Sequence, residues 1–274
     1  MWSLSKPVIR VGLSQQALTV ARMPRFGVGS VGAVEQLACL QVAIASTDPT
    51  EPWRAAVERL AQWLADHKDQ RFAVQVVLSG RFVRWQLLPW RIELSGRAEL
   101  TAYAALRFRE TYGKAVQGWN ILPAALAPGC TAPAAAVDST LVQALTQVCE
   151  AQGAQLQELT PYFSSAFDAW HSRLKGKAAW FGTVEADTFT LGLLQGGQWT
   201  ALQTQRLSGD WRAPLPALMA QIALACDLPE GVVPLFLAGD MAAPAAQSTL
   251  PFTWLAPLQV AERAAPGLRL ALGR

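Results

Sequence analysis

Histidine is nearly absent from this chain: His67 and His171 are the two in 274 residues. The four cysteines, Cys39, Cys130, Cys149 and Cys226, stand far apart, and none forms a C-x-x-C pair. Zinc and iron–sulfur sites draw on such clusters, so metal chemistry of that kind is excluded and no metal ligand is nominated. Scattered cysteines read instead as free thiols of a reducing compartment. Charge is also sparse, at 16% of residues against 51% hydrophobic, which excludes a disordered chain. The net charge of +3 comes from dispersed Lys and Arg, with no basic run interleaved with aromatics, so no nucleic-acid partner is expected. No apolar run reaches spanning length. Leu37 to Ala45 is broken by Gln41, and the first residues carry Arg10 inside their apolar stretch rather than a signal-peptide layout. A cytoplasmic chain without membrane insertion of its own is the expectation.

Catalytic motifs are missing as well. There is no G-x-x-x-x-G-K-[ST] loop, and Gly176-Lys177 lacks both the following hydroxyl and the upstream glycine. There is no G-x-S-x-G elbow, since Ser79 and Ser208 each have one adjacent glycine. Both histidines fall in predicted helices beside charged residues and read as solvated. Glu185 and Asp187 could form an acid/base or metal pair, but their place beside a predicted hairpin favours turn residues.

What is present is an alternation of strands and helices. Pro7 to Leu13 and Ala17 to Arg22 read as strands joined at Ser14-Gln15-Gln16, followed by a connection punctuated by Gly27, Gly29 and Gly32. Leu37 to Ala45 reads as a buried strand. Trp53, Val57, Leu60 and Leu64 fall on one helical face, with Asp48-Pro49-Thr50-Glu51 offering a cap. Strands are predicted over Phe72 to Ser79, Phe82 to Leu88, Trp119 to Leu126, Pro133 to Val137 and Leu156 to Leu159. Helices are predicted over Ser95 to Tyr112, around Leu141 to Cys149, and on the Phe163, Phe167, Trp170, Leu174 face. The pattern then restarts. Ala178 to Val184, Thr188 to Gln195 and Trp199 to Leu207 are strands, the last two joined by Gly196-Gly197. A helix on Leu215, Leu218, Ile222 and Ala225 and strands at Val232 to Leu237 and Phe252 to Leu255 complete it. Each half opens with a strand hairpin, which is a structural repeat without a sequence repeat.

Three segments carry a likeness to a known superfamily. These are Leu88-Pro89-Trp90 through Ile121-Leu122, then Pro133 through Gly153 to Phe163–Trp170, and finally Trp180-Phe181-Gly182-Thr183 through Gly196-Gly197 with Leu235 to Asp240. In order and spacing they resemble the actin-like ATPase superfamily, nearest to the PilM, MshI and cytoplasmic GspL proteins of type IV pilus and type II secretion assembly. The resemblance implies an α/β, two-lobed actin-like (ribonuclease H-like) fold. It puts the first lobe at 1–175, with a small inserted subdomain at about 82–128, and the second lobe at 176–274.

Active members of that superfamily open each lobe with an Asp-x-Gly hairpin whose turn cradles phosphate while the acid orients Mg²⁺. Carried onto this chain, the degenerate nucleotide site comprises Arg10, Gly12, Ser14, Gly182, Thr183, Gly239 and Asp240, with Arg10 and Trp180 standing at the two acid positions. Without those acids hydrolysis is not expected. No catalytic residue and no cofactor is assigned, although Arg10 could pair directly with a phosphate and give weak ATP binding. The implied function is a pseudo-ATPase scaffold that binds the cytoplasmic tail of an inner-membrane pilus or secretion-platform protein. Phe82, Trp85 and Trp90 are its candidate anchors. A homo-oligomer stays open, and a sugar or metabolite kinase or active ATPase of the same superfamily is the alternative.

Overall fold

The computed structural model describes residues 6–23, 35–42, 50–94, 96–125, 127–174, 178–226, 228, 232–240, 251–255 and 267–273. The glycine-punctuated connection (27, 29 and 32), residues 43–45, Asp48, Pro49 and Lys175-Gly176 lie outside them.

Two five-stranded sheets repeat one topology. In the first, β1 (Val8–Leu13), β2 (Ala17–Arg22) and β3 (Glu35–Gln41) form an antiparallel meander, and β4 (Ala73–Leu78) and β8 (Gln155–Pro161) join in parallel on the other side of β1. In the second, β9 (Ala178–Val184), β10 (Thr188–Gln195) and β11 (Gln198–Arg206) form the meander, and β12 (Leu235–Gly239) and β13 (Thr253–Trp254) follow in parallel beyond β9. The β10–β11 loop is two residues, Gly196 and Gly197, at φ of 58° and 79°. Both sit in the left-handed region that a tight hairpin turn demands and that a side chain resists. A third sheet, β5 (Val83–Leu88), β7 (Ala132–Asp138) and β6 (Trp119–Pro123), is antiparallel with β7 at its centre, and α2 (Arg97–Tyr112) covers it.

Period-two alternation decides what each sheet face meets. On the first sheet Ile9, Val11, Leu13, Val74, Val76 and Leu78 point to α1 (Arg54–Asp66) and α3 (Ser139–Ala151). On the second, Trp180, Val184, Phe189, Leu191 and Leu193 point to α5 (Leu215–Ala225). The opposite faces look toward each other across α4 (Tyr162–Trp170), in a core of Tyr162, Phe163, Phe181, Trp199 and Leu270. Phe163 and Phe167 contact both Phe181 and Trp199, so the sheets share one aromatic interior.

Several local expectations change. β3 is the outer strand of its sheet and half-exposed rather than buried. The first helix starts at Arg54, with Trp53 at the cap position and no side-chain cap bond. A short helix that the sequence reading omitted, α6 (Leu268–Leu272), comes last among the described residues yet packs on β1, β2 and β4 of the first sheet, across the 175/176 division. No helix among the described residues is long and apolar enough to cross a membrane.

Candidate functional site

Gly12 explains where α6 sits. A Cβ on Gly12 would lie 2.7 Å from the Ala271 nitrogen and 3.1 Å from the Gly267 carbonyl oxygen, so only glycine lets the helix rest on β1. Arg10, two residues back on the same strand face, donates from Nε to Gln75 Oε1 (3.0 Å) and from Nη1 to the Leu272 carbonyl (2.8 Å). That guanidinium satisfies a carbonyl at the C-terminal end of α6, where a cation is favoured. Asp240 does the reverse at the other end, its Oδ1 accepting from the N–H groups of Gly267 (2.9 Å) and Leu270 (3.1 Å). Two of the predicted phosphate-site residues, one from each sheet, thus clasp a helix.

Between the hairpin turns lies a cavity of about 100 Å³, lined by Ser14, Gln16, Glu185, Asp187, Asp240 and Leu270 among others. Ser14 shapes its own turn, with its hydroxyl and N–H both directed to the Ala17 carbonyl. Glu185 is the unexpected member. It is 4% exposed and accepts the Gly80 N–H at 2.9 Å, while its Oε2 is buried without a partner. Burial pushes its carboxyl up to about 8, against the Ser79 and Gly80 hydrogen bonds that pull the other way, so it carries its proton at neutral pH. Burial likewise raises Asp240 to about 6, opposed by the N–H groups of α6 and by Arg269.

The remaining predicted residues go elsewhere. Gly182 faces Leu237 and Phe189 in the α5 core, and Trp180, 2% exposed, belongs to the same core. Trp180 therefore looks away from the first sheet, because strand alternation puts it on the outer face of β9. Position 180 thus faces the α5 core, and a carboxylate, Glu185, follows the end of that strand. Thr183 faces inward, fully buried, with a hydroxyl that has no partner. Gly239 is roofed by Trp254. Only Ser14 and Asp240 of the predicted set meet at the cavity. The sequence favours Glu185 as a turn residue over an acid/base or metal pair, because nothing local signals that Gly80, 105 residues away, would cover it.

Of the anchors, Phe82 is 4% exposed and sits in the first core, and Trp85 is half-buried with its ring edge-on to Phe163 at 5.6 Å. Trp90 alone is open, at 38%. Ile92 and Leu122 of the same small subdomain are more exposed still. Near them a groove of about 460 Å³ runs between the start of α2 and the end of β6, lined by Leu94, Leu100, Pro123 and Ala124 among others.

No protein-family model matches this chain, and no curated protein sequence matches it significantly. Solved structures do. A Bacteroides thetaiotaomicron protein with an actin-like ATPase fold and unknown function superposes with a TM-score of 0.62 over 86% of this chain and 83% of that one, at 12% identity. The fold is that of the actin-like ATPases. The cytoplasmic domain of EpsL, an inner-membrane component of the Vibrio cholerae type II secretion system, matches at TM-score 0.57 and 16% identity over 97% of this chain and 93% of that domain. A chain of the PilM–PilN type IV pilus biogenesis complex matches at TM-score 0.52 and 15% identity, covering 85% and 81%. An actin-like fold raises the question of a nucleotide and its metal. The described residues do not fit one: the cavity is below the ~300 Å³ at which ligand pockets begin, no Lys or Arg is among its described lining residues to meet a phosphate, and no metal-competent cluster exists among the described residues.

Proposed function

We propose that this actin-like chain is a non-catalytic scaffold that binds inner-membrane assembly proteins of a pilus or secretion system. The observation that carries the reading is the near end-to-end likeness to the cytoplasmic domain of EpsL, with the PilM–PilN complex in support. The small cavity agrees with it, because no Lys or Arg stands among its described lining residues to meet the phosphates that an ATPase must hold. The docking face is the small subdomain, where Trp90, Ile92 and Leu122 are exposed beside the α2–β6 groove. An apolar cytoplasmic tail of an inner-membrane protein fits that surface, and it would recruit this chain to the inner face of that membrane.

The test is capture of synthetic N-terminal tails of pilus and secretion-platform proteins by the full chain, alongside calorimetry with MgATP. Binding of a tail that is lost in Trp90→Ala with Leu122→Ser, together with no MgATP heat, is the expected result. Tight, magnesium-dependent ATP binding with turnover would sink the scaffold reading in favour of an enzyme.

A further inference from the structure

A second cavity, about 390 Å³, lies between β5 and the second sheet, lined by Gly80, whose N–H bonds Glu185 of the acidic cavity. Its character is opposite. Arg81 and Arg84 enter from the β4–β5 junction and β5, and Arg206 from the end of β11, with Gln86, Gln203 and Thr204 between them. Asp187 Oδ2 lies 4.0 Å from Arg81 Nε, beyond hydrogen-bonding distance. Arg81 Nε is buried with no hydrogen-bond partner. Burial, then Arg206, then Arg84 lower the basicity of Arg81 against the pull of Asp187. Arg84 lies over the Trp119 ring at 4.6 Å, and Arg206 is exposed. Like charges brought together from two sheets, one with an unused donor, form a site that an anion would relieve.

The shape of the cavity says what kind of anion. Residues 83, 84, 85 and 86 all line it. Successive strand residues point to opposite faces, so a cavity that touches four in a row runs along the strand's edge. β5 is the edge strand of the small sheet and β11 the edge strand of the second sheet, and they pass beside each other. An edge strand offers unpaired backbone groups in a row, which an extended chain can match and a compact ion cannot.

We propose that this cavity takes an extended acidic segment of a partner protein, laid along the β5 edge with its carboxylates on Arg81, Arg84 and Arg206. The proposal rests on the protein-docking reading above and deepens it. It gives the partner a charge, and it adds a contact spanning the small subdomain and the second sheet, away from Trp90. Because Arg81 and Arg84 belong to one side and Arg206 to the other, the bound segment would fix the two against each other.

The probe is a fluorescein-labelled decapeptide of alternating glutamate and threonine, titrated into the full chain by anisotropy. Saturable binding is expected, weakened roughly tenfold by R206E and by R84Q, as removal of a charge-assisted contact implies. R59E, on the exposed side of α1, carries the same net-charge change as R206E and should shift it less than about twofold. A peptide with glutamine for glutamate should bind at least about tenfold more weakly. Hydrogen exchange should slow at residues 83–88 on binding. Absence of saturable binding, or equal loss in R59E, overturns the proposal. So does displacement by inorganic phosphate as effective as by unlabelled peptide, which would mark a simple anion site. Unchanged exchange at 83–88 refutes strand addition. Tail capture retained by R206E with probe binding lost keeps the general scaffold reading and removes the acidic segment from the tail's own contact. Probe binding kept with no tail captured does the reverse.

Discussion

Two cavities, linked by the Gly80 N–H of one bonding Glu185 of the other, differ in nearly every respect. The one between the hairpin turns is small and acidic, with Glu185, Asp187 and Asp240 on its walls. The one along β5 is about four times larger and basic, with Arg81, Arg84 and Arg206. Asp187 stands on the border, lining the first and facing Arg81 of the second. The difference teaches that the Arg side chains gather along β5, while the described lining between the hairpin turns, where an actin-like nucleotide site would lie, holds carboxylates and no Lys or Arg. The small size of the acidic cavity has a structural cause: α6, whose Leu270 lines it, is clasped by Arg10 from one sheet and by Asp240 at the end of a strand of the other. The same residues that could have met a phosphate are spent on helix ends.

The largest effect on this contrast should come from prying α6 off the first sheet. Gly12→Leu places a side chain where the Ala271 backbone lies, and we expect a loss of about 3 kcal/mol or more in urea unfolding, since overpacking at a closed backbone contact has no cheap relief. A change below about 1 kcal/mol would mean that α6 is not seated on β1.

Next comes Glu185. Its folded-state carboxyl is raised to about 8, so the stability it gives is fully present below its ordinary value near 4.5 and is lost as pH rises through 8. The groups around it are Asp187, Asp240, Tyr162 and the Ser79 and Gly80 donors. Unfolding free energy should therefore fall between about pH 4.5 and pH 8 and level off above, and Glu185→Gln should flatten that fall. At pH 9 the variant should be the more stable by on the order of 2 kcal/mol. Parallel curves for the two proteins would show Glu185 to be hydrated.

Asp240→Ala removes the acceptor for two N–H groups, a change of about 1 kcal/mol for a helix cap. The folded Asp240 carboxyl is also raised, to about 6, so the wild type loses part of its advantage as pH rises through 6. The cost of the alanine should then be larger at pH 5 than at pH 8, and thermal melts at the two values check this. A cost that grows with pH would reverse the sign argued here.

The smallest effect on stability should be at the basic cavity. R206E changes an exposed side chain and should move the unfolding midpoint by less than about 0.5 kcal/mol, while shifting acidic-peptide binding as described above. A large loss of stability would make Arg206 structural.

Much of this was legible in advance, and the failures have identifiable causes. Both meanders, the Gly196-Gly197 turn and the helices on Leu60, Phe108, Leu145 and Phe163 follow from period-two and period-3.6 patterns over stretches long enough to show them. α6 was missed because five residues cannot display a helical period. The Asp-x-Gly spacing anchored on Gly182 puts Trp180 at the acid position, whereas the hairpin turns at Glu185-Ala186-Asp187 and Trp180 packs in the α5 core. Anchoring on a glycine fixes the face only when that glycine is at the turn. Phe82 and Trp85 looked like anchors since an aromatic residue reads alike in a core and on a surface.

The sequence by itself determined the elements, their order, and the repeat of hairpin, helix and parallel strand, because backbone preference and local periodicity are written in neighbouring residues. Which groups share a cavity was decided only by the tertiary structure. Glu185 is buried because Gly80 arrives over it, Arg10 is matched because Leu272 arrives beside it, and Arg81 faces Arg206 because two sheets meet. Burial and charge pairing are set by residues far apart in the chain, and these two decide whether a carboxylate keeps its proton and where an anion is welcome.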